Sequence, residues 1–276
     1  MLFDSWHGLR AGDQIGNLEY VVDEEALTQY QRMVGAHGRF PNLMTEDCRA
    51  MLSKHEPGEP LTTVWQRLDF MRPPILGRRV QVGGWVREVV EKCGRAWIRA
   101  AAFAVDEIGT EILRSEAAFV VGRETATPER SVETTGVAWT TASLARGRAG
   151  DSAHLGELRL PDREQLNDLR RMAKAMAGVD MAPDGNGLTS ITAGWLEGLM
   201  GADFGEDFRW GGRLSIAHQR PIPPGAELRS DGVLMGHDTD AAGVETRRAV
   251  MTVRNAGGDR VATAEAVVKS PSPRLV

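Results

Sequence analysis

The sequence has few cysteines and no long apolar run. Only two cysteines, Cys48 and Cys93, occur among 276 residues, so a framework of several disulfides is excluded and a reducing, cytoplasmic setting is expected. No apolar stretch reaches the roughly 18 residues that a membrane-spanning helix needs. The first residues, Met1 to His7, lack the basic and apolar regions of a secretory signal. We therefore expect a cytoplasmic protein with no membrane partner.

Basic residues are in the minority, and the common catalytic motifs are absent. Lys and Arg number 33 against 38 Asp and Glu, and the net charge of −5 argues against nucleic acid as a partner. The sequence has no Gly-x-Ser-x-Gly, no Walker-type loop, no His-Glu-x-x-His and no Cys-x-x-Cys. We interpret His237, Asp238 and Asp240 as a polar turn, so no metal and no cofactor are expected.

The sequence does contain an internal repeat. The stretch RLDFMRPPILG at 67–77 is echoed by RLSIAHQRPIPPG at 213–225. The offset between the copies is 146 residues at the start of this match and 149 at the two Glu-Ala pairs, 116–117 and 265–266. A small drift of this kind is what loop insertions produce. The sequence therefore predicts two copies of one structural unit.

We place the first unit at residues 1–125 and the second at 150–276. Residues 126–149, rich in Thr, Gly, Ala and Arg, are predicted to be a linker. In both units an acidic turn opens a short helix, within 21–30 and 160–169. A central helix and four or so strands are predicted to follow.

The central helix is clearest in the second unit. Gly194, Gly198 and Gly201 lie on one side, where small residues would let another backbone approach closely. The other side carries an apolar stripe at helical spacing: Leu188, Ile191, Thr192, Trp195, Leu196 and Leu199. A duplicated helix and antiparallel meander predicts an α+β fold of two tandem units, each a sheet wrapped around a central helix.

Strands of the second unit are predicted at 214–219, 227–235, 244–254 and 260–268, bounded by Gly and Pro turns. In the first unit Trp65, Trp85 and Trp97 lie in strand-like segments, and core packing is the expected role of these three side chains.

Two motifs suggest a family. Arg-Pro-x-x-x-Gly at 72–77 and Arg-Pro-x-Pro-Pro-Gly at 220–225 each follow a predicted strand, and a later strand in each copy ends in Asp/Asn-x-x-Gly. This arrangement resembles the hotdog fold, and more narrowly the MaoC-like hydratase/dehydratase group with two hotdog units in one chain. The resemblance implies reversible addition of water to an enoyl thioester in the cleft between the units.

In the MaoC-like group an Asp and a His five residues later, in a loop over a central helix, act as base and acid on one water. Backbone N–H groups at the helix N-terminus polarise the thioester carbonyl. This spacing is absent from both helix-preceding loops here, VGAHGRFPN at 34–42 and GVDMAPDGNG at 178–187. Asp180, Asn186 and His37 are the remaining candidates in these loops. The alternatives are N-capping for Asp180 and Asn186, and a turn or surface position for His37.

Further candidates lie outside these loops. Asp47 and Glu197 fall on the predicted central helices, where carboxylates act as nucleophile or base in hotdog thioesterases, and a buried Glu197 needs a partner or a raised pKa. The alternative for Asp47 is a structural ion pair with a nearby arginine such as Arg49. His218 lies on a predicted strand and faces either the inter-unit cleft or solvent. Three residues are expected to contact substrate: Gly187, Asn42 and Trp195.

Three functions stay open at this point. The first is a MaoC-like hydratase/dehydratase with a non-standard acid/base set, acting on an acyl thioester of coenzyme A or acyl carrier protein. The second is a thioesterase on the same fold. The third is a non-catalytic subunit that binds an acyl ligand or a partner protein. Association into a homo-oligomer is open as well.

Overall fold

The computed structural model describes residues 8–35, 38–40, 42–54, 60–92, 94–122, 140–179, 189–241 and 243–271. The first half contains β1 (Gln14–Val21), α1 (Glu24–Val34), α2 (Asn42–Thr45), α3 (Asp47–Leu52), β2 (Leu61–Phe70), β3 (Arg79–Lys92), β4 (Arg95–Asp106) and β5 (Glu111–Val121). The second half contains β6 (Ser152–Arg159), α4 (Arg163–Ala177), α5 (Thr189–Phe204), α6 (Glu206–Arg209), β7 (Arg213–His218), β8 (Glu227–Thr239), β9 (Val244–Asn255) and β10 (Arg260–Pro271).

All these strands form one antiparallel sheet in the order β1-β3-β4-β5-β2-β7-β10-β9-β8-β6. The two halves contribute five neighbouring strands each, in mirrored order, and β2 pairs with β7 where they meet. Leu68 lies opposite Leu214 at this junction, and both side chains are buried. Beside them Asp69 accepts from Arg67 at 3.0 Å and also pairs with Arg213. The junction is therefore a continuous sheet with a buried centre.

Matching turns support the repeat. Asp106 Oδ1 accepts from the N–H of Thr110 at 2.8 Å, and Asn255 Oδ1 accepts from the N–H of Asp259 at 2.9 Å. Each turn has a glycine at its fourth position, Gly109 or Gly258, whose φ, 79° or 82°, is in the left-handed region. The offset of 149 residues thus relates the same turn in both halves.

The predicted helices are present, and their caps explain where they begin. Asp23 accepts from the N–H of Ala26 at the start of α1. Asp162 and Gln165 form a capping box at the start of α4, which ends before Gly178 with φ 65°. Between these flanking helices α5 is almost wholly buried, as its apolar stripe and small residues predict.

The predicted strands of the second half are confirmed, and β9 shows how they divide the sheet faces. Ala249, Met251 and Val253 are buried, whereas Val250 between them is partly exposed. One face of the sheet therefore packs on the helices. No helix in the described ranges is both long enough and apolar enough to cross a membrane.

Two features of the fold were not predicted. Each half has a fifth strand at the outer edge, β1 or β6, ahead of its first helix. Edge strands are paired on one side, and register shifts at Gly16 and Gly156 interrupt their alternation of buried residues. The first central helix is also interrupted, at Glu46 between α2 and α3.

The expectation that the strand tryptophans pack in the core is wrong. Trp65, Trp85 and Trp97 are half-buried. Each lies within 6 Å of an exposed cation, a distance typical of cation–π contacts. The pairs are Arg99 with Trp65 at 5.9 Å, Arg87 with Trp85 at 4.9 Å and Lys92 with Trp97 at 5.5 Å.

Candidate functional site

The carboxyl group of Glu197 lies where the two halves meet. Glu197 is on α5 and is fully buried. Its Oε2 accepts a hydrogen bond from the backbone N–H of Arg39 at 3.0 Å, and the backbone N–H of Phe40 also binds the carboxyl group. Among the described residues, Oε1 has no hydrogen-bond partner. One oxygen is thus fixed by the first half, while the other is buried with no hydrogen-bond partner among the described residues.

Burial raises the pKa of Glu197 from 4.5 to about 7. The two backbone N–H groups and the positive charges of Arg209 and Arg39 act against burial and lower the pKa. A carboxyl group in this range exchanges protons readily near neutral pH, as a general acid or base must.

Tyr30 of α1 closes the site on another side. A Cβ atom at Gly194 would lie 1.9 Å from Tyr30 Oη, so the ring reaches the α5 backbone only because residue 194 is glycine. The hydroxyl lies 3.4 Å from Thr45 Oγ1. Burial raises the pKa of Tyr30, and the charges of Glu197 and Glu46 raise it further. Tyr30 is therefore a neutral phenol beside the carboxyl group.

Asp47 occupies a separate polar cluster inside the first half. Its Oδ1 accepts from Ser115 Oγ at 2.5 Å and from the N–H of Cys48 at 2.6 Å. Burial raises the pKa of Asp47 to about 6. Arg49, the alternative ion-pair partner of Asp47, pairs with Glu46. The adjoining cavity between α3 and the sheet has a volume of about 10 Å³, room for about one water molecule.

Of the other candidate residues, three lie in the described ranges and four lie outside them. His218 is buried at the end of β7, opposite Ala262 of β10. Trp195 is buried on α5, and a Cβ atom at Gly35 would lie 4.0 Å from its ring. Asn42 begins α2. His37, Asp180, Asn186 and Gly187 lie outside the described residues.

Sequence reasoning missed the residues that contact or influence Glu197 from elsewhere in the chain. Arg39, Tyr30 and Arg209 carry no recognisable motif, and Arg39 precedes Glu197 by 158 residues. The glycines of α5 were the available signal, since they mark close approach by other groups. Gly194 meets Tyr30, and Gly201 meets the guanidinium of Arg209.

Two further features bear on ligands. A cleft of about 680 Å³ separates α1 from α4 and is lined by Met33, Met172 and Met176 together with charged side chains. Within the described ranges no group of three or more His, Cys, Asp or Glu side chains could hold a metal ion.

Solved structures resemble this chain along its whole length. A protein described as a MaoC-like dehydratase is 16% identical, with a TM-score of 0.65 over 97% of this chain and 100% of its own. A conserved hypothetical protein of Mycobacterium tuberculosis with a double hotdog fold is 12% identical, with a TM-score of 0.61 over 96% of this chain and 98% of its own. The chain has a double-hotdog fold.

This chain is also similar to a protein of Novosphingobium aromaticivorans that is provisionally named a thioesterase. It is 14% identical, with a TM-score of 0.50 over 94% of this chain and 97% of its own. No family profile and no curated protein matches the sequence. At these identities the likeness establishes the double-hotdog fold, and the chemistry has to be argued from the site.

Proposed function

We propose that this double-hotdog protein is an acyl-thioester hydratase/dehydratase in which Glu197 transfers the proton. The observation that carries the proposal is the Glu197 carboxyl group, fixed through Oε2 by the Arg39 N–H with no partner on Oε1 among the described residues. Its pKa of about 7 suits transfer in either direction at neutral pH.

The chemistry needs one group that first removes and then returns a proton. In the hydration direction, ionised Glu197 takes a proton from water as the water oxygen bonds to the β-carbon of the enoyl thioester. The protonated carboxyl group then delivers that proton to the α-carbon. Dehydration is the reverse. The fixed carboxyl group thereby replaces the Asp and His pair that the sequence lacks.

The N-terminus of α5 supports the other half of the reaction. Negative charge develops on the thioester oxygen when water adds, and the N-terminal N–H groups of a buried helix stabilise such charge. Asp180, Asn186 and His37 remain proposals for further acid/base groups, and Asn42, Gly187 and Trp195 for contacts to the substrate. The acyl carrier is proposed to be coenzyme A or acyl carrier protein.

The test uses purified protein and crotonyl-CoA, with loss of the enoyl absorbance and release of free thiol followed in parallel. Absorbance loss without thiol supports hydration. The matched variants are Glu197→Gln and Glu164→Gln, an exposed glutamate on α4. We expect only Glu197→Gln to stop the reaction. Silence of the wild-type protein with acyl-CoAs of several chain lengths would reject the enzyme proposal and leave the ligand-binding alternative.

A thioesterase is the second candidate, because Glu197 lies on the central helix, where hotdog thioesterases carry their carboxylate. In that case Glu197 attacks the thioester carbonyl or activates a water to do so, and thiol is released. The same experiment separates the two functions, since thiol release with crotonyl-CoA supports hydrolysis. Asp180→Ala and His37→Ala test the loop candidates; full activity in both variants would remove these residues from the proposal.

A further inference from the structure

The guanidinium of Arg209 lies on the α5 face that carries Glu197. A Cβ atom at Gly201 would be 2.8 Å from Arg209 Nη2 and 2.9 Å from Nε. Gly201 follows Glu197 by four residues, and helical residues at this spacing are neighbours on one face, with Cβ positions about 6 Å apart. The positive charge therefore lies one helical turn from the carboxyl group, at a place that only glycine leaves open.

Arg209 is held there by its own short helix. Its Nη1 donates to Glu206 Oε1 at 3.1 Å, and the Trp210 indole N–H donates to Glu206 Oε2 at 2.8 Å. The Arg209 side chain is 9% exposed, whereas that of Glu206 is 68% exposed. An exposed carboxylate, fixed by the indole, thus anchors a buried cation.

We propose that Arg209 is a positioning residue that acts through Glu197, supplying a fixed, buried positive charge one helical turn from the carboxyl group. The assignment of Glu197 rests on the proposed function, but the electrostatic effect of Arg209 on Glu197 does not. The charge of Arg209 lowers the pKa of Glu197 against the larger, opposite effect of burial.

Other charged or titratable groups also act on this carboxyl group. Arg39 of the segment 38–40 lowers the pKa of Glu197, and its charge also reaches Glu206. Tyr30 of α1 is a neutral phenol, and Glu46 acts on Tyr30. Arg39 is exposed to solvent, whereas Arg209 is buried and its charge is screened less. Arg209 is therefore the cation whose removal we expect to matter most.

The test measures the titration midpoint of Glu197 directly, from the carboxyl carbon signal in protein labelled with ¹³C-glutamate, with Glu197→Gln used to assign that signal. Arg209→Met removes the charge and keeps an unbranched apolar stem; we expect the midpoint to rise by about one pH unit or more. Arg209→Lys restores a charge and should return the midpoint towards the wild-type value. Arg171→Met, which removes an exposed charge on α4, should leave it unchanged.

Gly201→Ala is a second test of the proposal, because it displaces the Arg209 guanidinium without removing its charge. It should raise the titration midpoint of Glu197 by less than Arg209→Met does. Circular dichroism shows whether each variant is folded. An unchanged midpoint in folded Arg209→Met, or equal shifts in Arg209→Met and Arg209→Lys, would overturn the proposal. In an active enzyme the acidic limb of the kcat/KM profile should move with the midpoint. An inactive wild-type protein rejects the proposed function, and the carboxyl titration still decides the role of Arg209.

Discussion

The backbone N–H of Arg39 in the first half donates to Glu197 Oε2 in the second half at 3.0 Å. The candidate catalytic carboxyl group is thus fixed by the other copy of the repeat. Because Tyr30 of the first half also packs on α5, both copies contribute to one site. The proposed site therefore requires both copies of the repeat.

Stability should fall as the pH rises through the titration of Glu197. Burial raises its folded-state pKa from 4.5 to about 7, so the folded protein keeps a proton that the unfolded chain loses in this window. The contribution of Glu197 to the free energy of unfolding is fully present below pH 4.5. It falls by about 3 kcal/mol as the pH rises to about 7. Urea unfolding at pH 5 and pH 8 should show a smaller decline in Glu197→Gln than in the wild type.

Asp47→Asn is the comparison for that experiment. The pKa of Asp47 is raised from 3.8 to about 6, so its contribution changes in the same direction over a lower window. Asp47→Asn should therefore keep the decline between pH 6 and pH 7 that Glu197→Gln loses. Identical pH dependence in both variants and the wild type would contradict the assignment of a raised pKa to Glu197.

A methyl group at Gly194 should disrupt the contact between α1 and α5. The added Cβ atom would lie 1.9 Å from Tyr30 Oη and 3.2 Å from Val34 Cγ1, in a buried region that cannot expand freely. Gly194→Ala should cost about 2–3 kcal/mol in the free energy of unfolding. Gly236→Ala is the control, since nothing lies within 4 Å of a Cβ atom there. Equal urea midpoints for these two variants would show that Tyr30 moves away without cost.

Asp203, on α5, should hold residues 143–145, which precede β6, against that helix. Its carboxylate accepts from Ser143 Oγ at 2.5 Å and from the N–H groups of Leu144 and Ala145 at 2.9 and 3.2 Å. Asp203→Ala should raise amide hydrogen exchange at Leu144 and Ala145 about tenfold or more, because charge-assisted bonds contribute about 1.5–3 kcal/mol each. Asp207→Ala, which loses one exposed bond to Ser270, is the control and should leave these amides protected. Unchanged exchange in Asp203→Ala would mean that the buried Leu144 side chain alone holds the segment.

Local patterns in the sequence predicted much of the fold. The turns at Asp106 and Asn255, the apolar stripe of α5 and the alternation in β9 are all properties of nearby residues. Edge strands β1 and β6 were not predicted, because they are half-exposed and irregular and their alternation of apolar and polar residues is therefore weak.

The site was predictable only in part. Glu197 could be named because a carboxylate among helix glycines needs an explanation. The groups around Glu197 could not be named from the sequence, because Arg39 and Arg209 come close to it only in the folded chain and no periodic spacing relates them to it. The predicted roles of Asp180, Asn186, His37 and Gly187 stay predictions, because these residues lie outside the described ranges.

The most direct test of Glu197 as the proton-transfer group is the reaction of crotonyl-CoA at pH 7 with wild-type protein and with Glu197→Gln, recording enoyl absorbance and free thiol together. We expect the wild type to consume the enoyl group without releasing thiol, and Glu197→Gln to be slower by about 100-fold or more. Equal rates of enoyl consumption by both proteins would contradict this role of Glu197.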